Sequence, residues 1–297
     1  MPATPSILER LRTEVLVFDG AMGTMLFQAG LASGACPELW NVDRPDAIQA
    51  VHRAYLDAGS DLIETNSFGG SRLKLAAFGL EHRTREVNMA SAKLARATAR
   101  PGTYVAGSMG PTGHLSEPYG DAAEADLLDA FREQAEALAE GGVDLVAIET
   151  MMVPEEAILA VRAAKTTGLP VMCSMTFQWM RERDQDRTMW GTSPGDAARV
   201  LVEAGADIVG CNCGDGGPRR VPTILREMRK AGALLVAYPN AGLPTIVGDR
   251  TIYDLSPQAM AETYRDILAA GANIVGACCG STPDHIRAIA ATVRGQR

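Results

Sequence analysis

Near its end the chain carries the run Asn273-Ile274-Val275-Gly276-Ala277-Cys278-Cys279-Gly280-Ser281-Thr282-Pro283, an apolar strand-like stretch that leads into a turn and a helix start. Adjacent side chains point in different directions in either a strand or a helix. The two cysteines can therefore serve one site only where the backbone bends, and the glycines that flank the pair permit such a bend. The run predicts a strand whose carboxyl end carries functional side chains, the two cysteines.

The same order of strand, turn and helix repeats along the chain. Short apolar runs that predict strands occupy residues 15–18, 62–65, 104–107, 144–148, 171–176, 208–210, 234–238 and 274–276. An amphipathic stretch typical of a helix follows each of them. Several of these stretches end in a turn of small residues closed by Asp or Asn, as in Gly59-Ser60-Asp61. The glycines suit helix C-caps, where a left-handed residue is needed.

Eight strands that alternate with helices predict a parallel sheet covered by helices. A barrel of this kind commonly takes about 250 residues as one domain. The Gly-x-Gly-x-x-Gly signature of an open dinucleotide-binding sheet does not follow the first strand. We therefore predict an α/β protein with a single (β/α)8 TIM barrel, one domain over residues 1–297 with a core of about 14–294.

The composition is that of an ordinary globular protein, with 46% hydrophobic and 22% charged residues. A net charge of −8 argues against a nucleic-acid or anionic-membrane partner. The sequence has no apolar run of the roughly 20 residues that a membrane span needs, and its start lacks the pattern of a secretion signal. We expect a cytoplasmic protein, in which six cysteines are thiols or metal ligands; a homo-oligomer is possible.

Active sites of such barrels lie at the carboxyl ends of the strands. The residues predicted to collect there are Asp19, Asn66, Ser108, Glu149, Thr176, Cys213, Asn240, Cys278 and Cys279. Asp19 and Glu149, on separate strand ends, favour recognition of an ammonium group over helix capping or simple solvation. The three thiols are the chemically distinctive members of this set.

Three thiolates suit Zn²⁺, a tetrahedral ion that favours sulfur. In a barrel, Cys213 and the Cys278-Cys279 pair would face one metal across the seventh strand. Small buried thiols are the alternative for the pair alone, and Cys211 is a possible fourth ligand because it would share a strand face with Cys213. With three protein ligands, one position stays open, which is typical of a catalytic ion.

The net charge of three thiolates and one zinc ion limits the reactions that such a site could catalyse. Three thiolates on Zn²⁺ carry a net negative charge, which weakens the ion as a Lewis acid toward water. A coordinated thiol is nevertheless deprotonated, whereas a free thiol with a pKa of about 8.5 is mostly neutral at pH 7. Thiol alkylation is therefore favoured over hydrolysis, which would also need a general base beside the metal.

Motifs along the chain resemble a known family. They are Asp19-Gly20-Ala21-Met22-Gly23-Thr24, Glu64-Thr65-Asn66-Ser67-Phe68-Gly69, Ser108-Met109-Gly110-Pro111-Thr112-Gly113, Glu149-Thr150, Gly210-Cys211-Asn212-Cys213, Pro239-Asn240-Ala241-Gly242 and Gly276-Ala277-Cys278-Cys279-Gly280. Together they resemble the zinc-dependent homocysteine S-methyltransferases, which include the homocysteine-binding module of cobalamin-dependent methionine synthase and the betaine–homocysteine methyltransferases.

The resemblance implies residue roles at the matching positions of this chain. Zinc would be held by Cys213, Cys278 and Cys279, with the homocysteine sulfur as fourth ligand. The other roles concern substrate binding: Asp19 and Glu149 at the amino group, Ser108 with the backbone of 107–110 at the carboxylate, Asn240 beside the zinc, and Asn66 and Phe68 on the side where the methyl donor approaches.

The resemblance leaves the methyl donor open. Thr150 stands where betaine-using vertebrate relatives carry an aromatic residue, and the chain has no Asp-x-His-x-x-Gly cobalamin signature. The donor is then an S-methyl sulfonium, a betaine, or a methyl-corrinoid (cobalamin) on a separate protein. The alternatives are corrinoid-linked methyl transfer to another thiol, zinc-assisted hydrolysis and a non-catalytic zinc-containing docking subunit.

Overall fold

The computed structural model describes residues 5–118, 120–247 and 250–295. Eight parallel strands form one sheet that curls into a nearly closed barrel. Each strand pairs with the next along the chain except the first with the second, and the first strand pairs with the last. The strands are β1 Leu16–Val17, β2 Leu62–Glu64, β3 Tyr104–Met109, β4 Leu145–Met151, β5 Val171–Met175, β6 Ile208–Cys213, β7 Leu234–Pro239 and β8 Ile274–Val275. The predicted single (β/α)8 barrel is confirmed.

A helix follows each strand and covers the outside of the sheet. These helices are α1 Pro45–Ala58, α2 Thr84–Thr98, α3 Glu124–Gly141, α4 Pro154–Lys165, α5 Pro194–Ala204, α6 Val221–Met228, α7 Pro257–Ala269 and α8 Pro283–Arg294. Five of them begin with proline at the first helical position, whose fixed φ suits that place and whose missing N–H costs nothing there.

Shorter elements fill the segments between strands and helices. Short α-helices span Ile7–Arg10, Met22–Gln28, Trp40–Asp43 and Arg72–Leu75, and 3₁₀ turns span Pro37–Leu39, Ala76–Phe78, Glu81–Arg83, Arg181–Arg183 and Arg229–Ala231. Two antiparallel hairpins, Gln178–Met180 with Gln185–Arg187 and Pro244–Val247 with Arg250–Tyr253, follow β5 and β7. None of the helices among the described residues is both long and apolar enough to cross a bilayer.

The small-residue turns at the helix ends have one recurring construction. The glycines take left-handed φ values, 108° at Gly59 and 110° at Gly205, as a C-cap requires. Two residues after each glycine, an Asp or Asn side chain accepts a hydrogen bond from a backbone N–H of the preceding strand. The pairs are Asp61 with Val17, Asp144 with Val105, Asp207 with Val171 and Asn273 with Leu235. These turns set the register at the amino ends of the strands.

The strand side chains divide between two cores. Outward residues such as Ile63, Val209 and Cys211 pack against the helices, whereas inward residues such as Leu62 and Ile208 fill the barrel. The alternation follows from the period of two along a strand. Ile7 and Leu11 of the N-terminal segment join the inner core and close the amino end of the barrel, so the opposite, carboxyl end is left for function.

The barrel closes between β1 and β2 through a few separate hydrogen bonds, one of them from the Asp61 N–H to the Val17 carbonyl at 2.7 Å. No ladder joins these strands among the described residues. Instead the Val17 N–H donates to the Asp61 carboxylate, and the Glu64 N–H donates to Oδ2 of Asp19 at 2.9 Å. Asp19 therefore supports the barrel wall as well as facing the functional end.

Candidate functional site

Polar side chains replace apolar ones at the last inward position of most strands. Below this level the barrel is filled with Leu, Ile, Val, Ala and Met. At it, the side chains of Glu64, Ser108, Glu149, Ser174 and Asn212 follow the inward parity of their strands, and Tyr238 ends the inward row of β7. Because side chains alternate between the two faces along each strand, these residues form one polar layer at the carboxyl end of the barrel.

The three cysteines predicted to share a site do come together. The Sγ atoms of Cys213, Cys278 and Cys279 all lie within 4.8 Å of one another. The separation is 2.9 Å between Cys213 and Cys278, and 3.9 Å between Cys278 and Cys279. This is the one such cluster of potential ligands found among the described residues.

Cys211 is not part of the cluster, which removes it as a candidate fourth ligand in this conformation. Its side chain is buried in the outer core, as strand alternation dictates. The same alternation would send Cys213 outward too, but Cys213 has a left-handed φ of 54°. The backbone rotation turns its sulfur to the barrel mouth, so the expectation that both cysteines share a face is wrong. A left-handed non-glycine residue is strained and often marks a functional site.

Asn212 holds this end of β6 in place. Its Oδ1 accepts hydrogen bonds from the Thr150 N–H and the Ser174 hydroxyl, both at 2.8 Å. Its Nδ2 donates to Thr150 Oγ1 at 2.7 Å and points toward the sulfurs of Cys213 and Cys278 at 3.5 and 3.9 Å. Asn212 therefore links β4, β5 and β6 behind the cysteines, and sequence reasoning did not assign it a role.

The predicted bend at the cysteine pair lies at Gly280, whereas Gly276 is needed for close packing. Gly280 has a left-handed φ of 79°, and a side chain there would overlap the ring of Tyr253. At Gly276 a Cβ atom would lie 2.7 Å from the Cβ of Phe18. Hydrogen bonding from Cys213 and from Cys278 lowers the pKa of Cys279 to about 3. Hydrogen bonding to Cys213 and Cys279 raises the pKa of Cys278, so the cluster favours a single thiolate, on Cys279, at neutral pH.

Three carboxyl groups lie close together at the same end of the barrel as the cysteines. Glu149 accepts a 2.6 Å hydrogen bond from the Ser108 hydroxyl, and burial raises its pKa to about 7. Burial raises the pKa of Asp19 and of Glu64 well above the usual range, and the charge of Glu149 adds to both shifts. Glu64 was not predicted as a site residue. The signal for it was present, because it is the last inward residue of an apolar strand.

The structure places the remaining predicted residues around this centre. Asn240 is buried, its Nδ2 donates to the Gly214 carbonyl at 3.4 Å, and its Oδ1 has no hydrogen-bond partner. Thr176 donates to the carbonyl of Asn212 rather than lining the cavity. The Ser108 hydroxyl is occupied by Glu149, and a hydroxyl has one proton to donate. Ser108 therefore holds Glu149, and carboxylate recognition by its hydroxyl would require an exchange of this bond.

Asn66 and Phe68 lie on the side of the cavity formed by the loop after β2. Asn66 donates to the Pro37 carbonyl at 2.8 Å, and the Phe68 ring lies against Gly110. Glu38, which is buried, accepts from the Gly69 N–H at 2.7 Å and so braces the turn that carries Phe68. Sequence reasoning did not identify Glu38.

One cavity connects these groups. Its volume is about 290 Å³, close to the lower limit of about 300 Å³ for small-molecule pockets. The residues that line it include the three cysteines, Glu64, Glu149, Ser108, Asn66 and Phe68. Asp19 lies just behind this lining, on Glu64. The cavity thus has a sulfur-rich wall and an acidic wall, which suits a small molecule that carries a thiol and an ammonium group.

An ion pair holds the hairpin after β5 against the loop that follows Cys213. Asp186 on the hairpin receives two hydrogen bonds from Arg220, at 3.1 and 2.7 Å, and the Arg220 guanidinium lies 5.1 Å from the centre of the Trp179 ring. The Asp186 side chain is 2% exposed and that of Arg220 is 15% exposed. Sequence reasoning did not predict this hairpin.

Removing the Arg220 guanidinium is expected to be strongly destabilising. An Arg220→Ala variant leaves the Asp186 charge buried without its partner, which typically costs about 3–5 kcal/mol. An Arg199→Ala variant is the matched control, because Arg199 pairs with Glu203 on the surface and such pairs contribute about 0–1 kcal/mol. Urea unfolding of both variants measures the difference, and equal free energies of unfolding would contradict a buried ion pair.

A family model described as homocysteine S-methyltransferase matches residues 16–293. The methionine synthase of Mycobacterium leprae is 34% identical over 307 aligned residues, which cover 97% of this chain and 25% of that protein. The methionine synthase of Mycobacterium tuberculosis is 33% identical over the same shares. The chain thus spans about a quarter of the length of these curated relatives.

Comparison of folds gives a consistent result. The homocysteine methyltransferase MmuM of Escherichia coli, in its metallated form, matches with a TM-score of 0.76 and 27% sequence identity over 94% of this chain and 96% of that one. The apo form of the same enzyme matches with a TM-score of 0.73 and 27% identity over 97% and 98% of the two chains. Both matches extend over nearly the whole barrel.

Proposed function

The chain belongs to the homocysteine S-methyltransferase family, and on that basis we propose that it methylates the sulfur of homocysteine to give methionine. The observation that carries this proposal is the single cavity with three cysteine sulfurs on one wall and buried carboxyl groups on the other. An amino acid with a side-chain thiol presents complementary groups to both walls.

We propose that Cys213, Cys278 and Cys279 hold a zinc ion. Sulfur ligands at about 2.3 Å in a tetrahedral site lie about 3.8 Å apart, which agrees with the 3.9 Å between Cys278 and Cys279. The shorter contact of Cys213 with Cys278 has to widen. When bound, the ion would keep the homocysteine sulfur as a thiolate, the form that attacks a methyl group. Asn240 offers an unpartnered oxygen beside this site.

The acidic wall is proposed to hold the amino group of homocysteine. Glu149, on β4, lines the cavity, whereas Asp19, just after β1, lies behind the lining against the Glu64 backbone. We therefore propose that Glu149 contacts the ammonium group and that Asp19 adds its negative charge from behind the lining. Both are almost fully buried, and an ion pair there is screened little by salt. This anchoring fixes the sulfur relative to the opposite wall, which is how alignment lowers the barrier of a transfer reaction.

The methyl donor is proposed to enter through the barrel mouth past Asn66 and Phe68. The large apolar side chains that are exposed in the described residues all lie on segments that follow barrel strands: Phe27, Val42, Phe68, Phe78, Met152, Met180, Met189, Trp190, Leu243 and Ile252. Apolar residues concentrated at one end of a protein indicate a contact surface. This favours a methyl group delivered on a corrinoid-binding domain or protein over a free sulfonium or betaine.

A direct assay distinguishes these donors. Zinc-loaded protein is mixed with homocysteine and, separately, with methylcobalamin, S-methylmethionine or betaine, each labelled in its methyl group. Labelled methionine is the expected product, and methylcobalamin is expected to be the best donor. Protein stripped of metal by a chelator serves as the control. Full zinc occupancy with no labelled methionine from any donor would refute the proposed function.

A further inference from the structure

Glu64 is a buried acid at the centre of the site to which no function has so far been given. It ends β2, faces into the barrel and lines the same cavity as Glu149 and the cysteines. Its Oε1 atom is buried and has no hydrogen-bond partner. An acid in such a position is costly to keep, and its environment has to be explained.

The surroundings of Glu64 contain no compensating cation. Its own N–H donates to Asp19, its carboxyl group lines the same cavity as that of Glu149, and burial together with the charge of Glu149 raises the pKa of Glu64. The described residues that line the cavity include no Lys, Arg or His. Three ionised carboxylates would therefore face one another in a buried space.

A hydrogen bond between two carboxyl groups requires one proton, because an ionised carboxylate has none to donate. Glu149 already accepts a hydrogen bond from the Ser108 hydroxyl, which stabilises its charged form. Glu64 has no such donor on its side chain. The proton therefore belongs on Glu64, and Glu149 is left as the anion.

We propose that Glu64 is a positioning residue that acts as a neutral hydrogen-bond donor to Glu149. Together with Ser108 it holds the Glu149 carboxylate in the orientation that receives the substrate ammonium group. It also limits the negative charge of the acidic wall. This inference rests on the proposed function, because it concerns how the same wall binds homocysteine.

Two substitutions of Glu64 distinguish a role as hydrogen-bond donor from a role as negative charge. Glu64→Leu removes the donor and is expected to raise the KM for homocysteine about tenfold or more, with kcat changed much less. Glu64→Gln keeps an N–H donor of similar size without a charge, and is expected to recover most of the lost affinity. A loss in Glu64→Gln as large as in Glu64→Leu would overturn the proposal, since it would mean that the charge of Glu64 is needed.

Direct binding provides a second readout. The zinc-loaded proteins are titrated by calorimetry with homocysteine and with 4-sulfanylbutanoic acid, which lacks the amino group. The difference in affinity between the two ligands measures the contribution of the acidic wall. Glu64→Leu should weaken the binding of homocysteine and leave that of the desamino compound nearly unchanged. Equal weakening of both ligands, or of neither, would contradict the inference. Failure of the wild-type protein to bind homocysteine at all would instead refute the proposed function.

Discussion

A Cys213→Ser variant is expected to lose zinc and, with it, homocysteine methylation. Serine replaces a thiolate with a neutral hydroxyl and leaves two sulfur ligands, Cys278 and Cys279. Even the loss of a residue that supports a metal ligand lowers metal affinity by about 10–100-fold, so loss of a ligand is expected to exceed this. We expect about a thousandfold or greater loss of kcat/KM, measured together with the zinc content and with a competition titration against a chelator.

Cys211→Ala is the matched control for this experiment. Cys211 is two residues away on the same strand, but its sulfur packs in the outer core and not in the cluster. The variant is expected to keep one equivalent of zinc and near wild-type activity, with some loss of stability. If Cys213→Ser also kept zinc with wild-type affinity, the assignment of Cys213 as a ligand would be wrong.

A Glu149→Gln variant is expected to lower kcat/KM for homocysteine by about 10–100-fold while the zinc content stays the same. The substitution removes the negative charge that faces the substrate ammonium group, and a hydrogen bond to a charged group contributes about 1.5–3 kcal/mol. The loss should disappear with 4-sulfanylbutanoic acid, which has no amino group. Steady-state kinetics on both substrates and metal analysis of the same preparation test this.

Glu156→Gln controls for the general effect of altering a buried acid. Glu156 is also buried, but its carboxylate accepts hydrogen bonds from the N–H and hydroxyl of Thr112, away from the cysteines. This variant is expected to lose stability without discriminating between the two substrates. If Glu149→Gln behaved in the same way, Glu149 would be a structural acid rather than a substrate ligand.

The barrel could be predicted because its signals are local. Each strand is a short apolar run, and each turn carries a glycine that is needed for its left-handed φ, as at Gly59 and Gly205. The following Asp or Asn was visible in the sequence, but its hydrogen bond to a strand N–H was not. The convergence of Cys213 with Cys278 and Cys279 followed from the rule that parallel strands end at one face.

The parts of the site that could not be predicted depend on backbone angles and on non-local contacts. The outward parity of Cys213 is reversed by a left-handed φ of 54°, and no residue type forces that value. Glu64 is not among the residues that follow the strands, where barrel active sites are sought, because it is the last inward residue within its own strand. The pairing of Asp186 with Arg220 joins residues 34 positions apart through a hairpin that has no strong sequence signal.

The central claim is that three cysteine sulfurs hold a zinc ion with one position left for the sulfur of homocysteine. X-ray absorption at the zinc edge, on protein with and without homocysteine, tests it most directly. The account predicts three sulfur ligands and one oxygen or nitrogen ligand in the free protein, and four sulfur ligands after homocysteine is added. An unchanged number of sulfur ligands, with homocysteine shown to be bound, would contradict it.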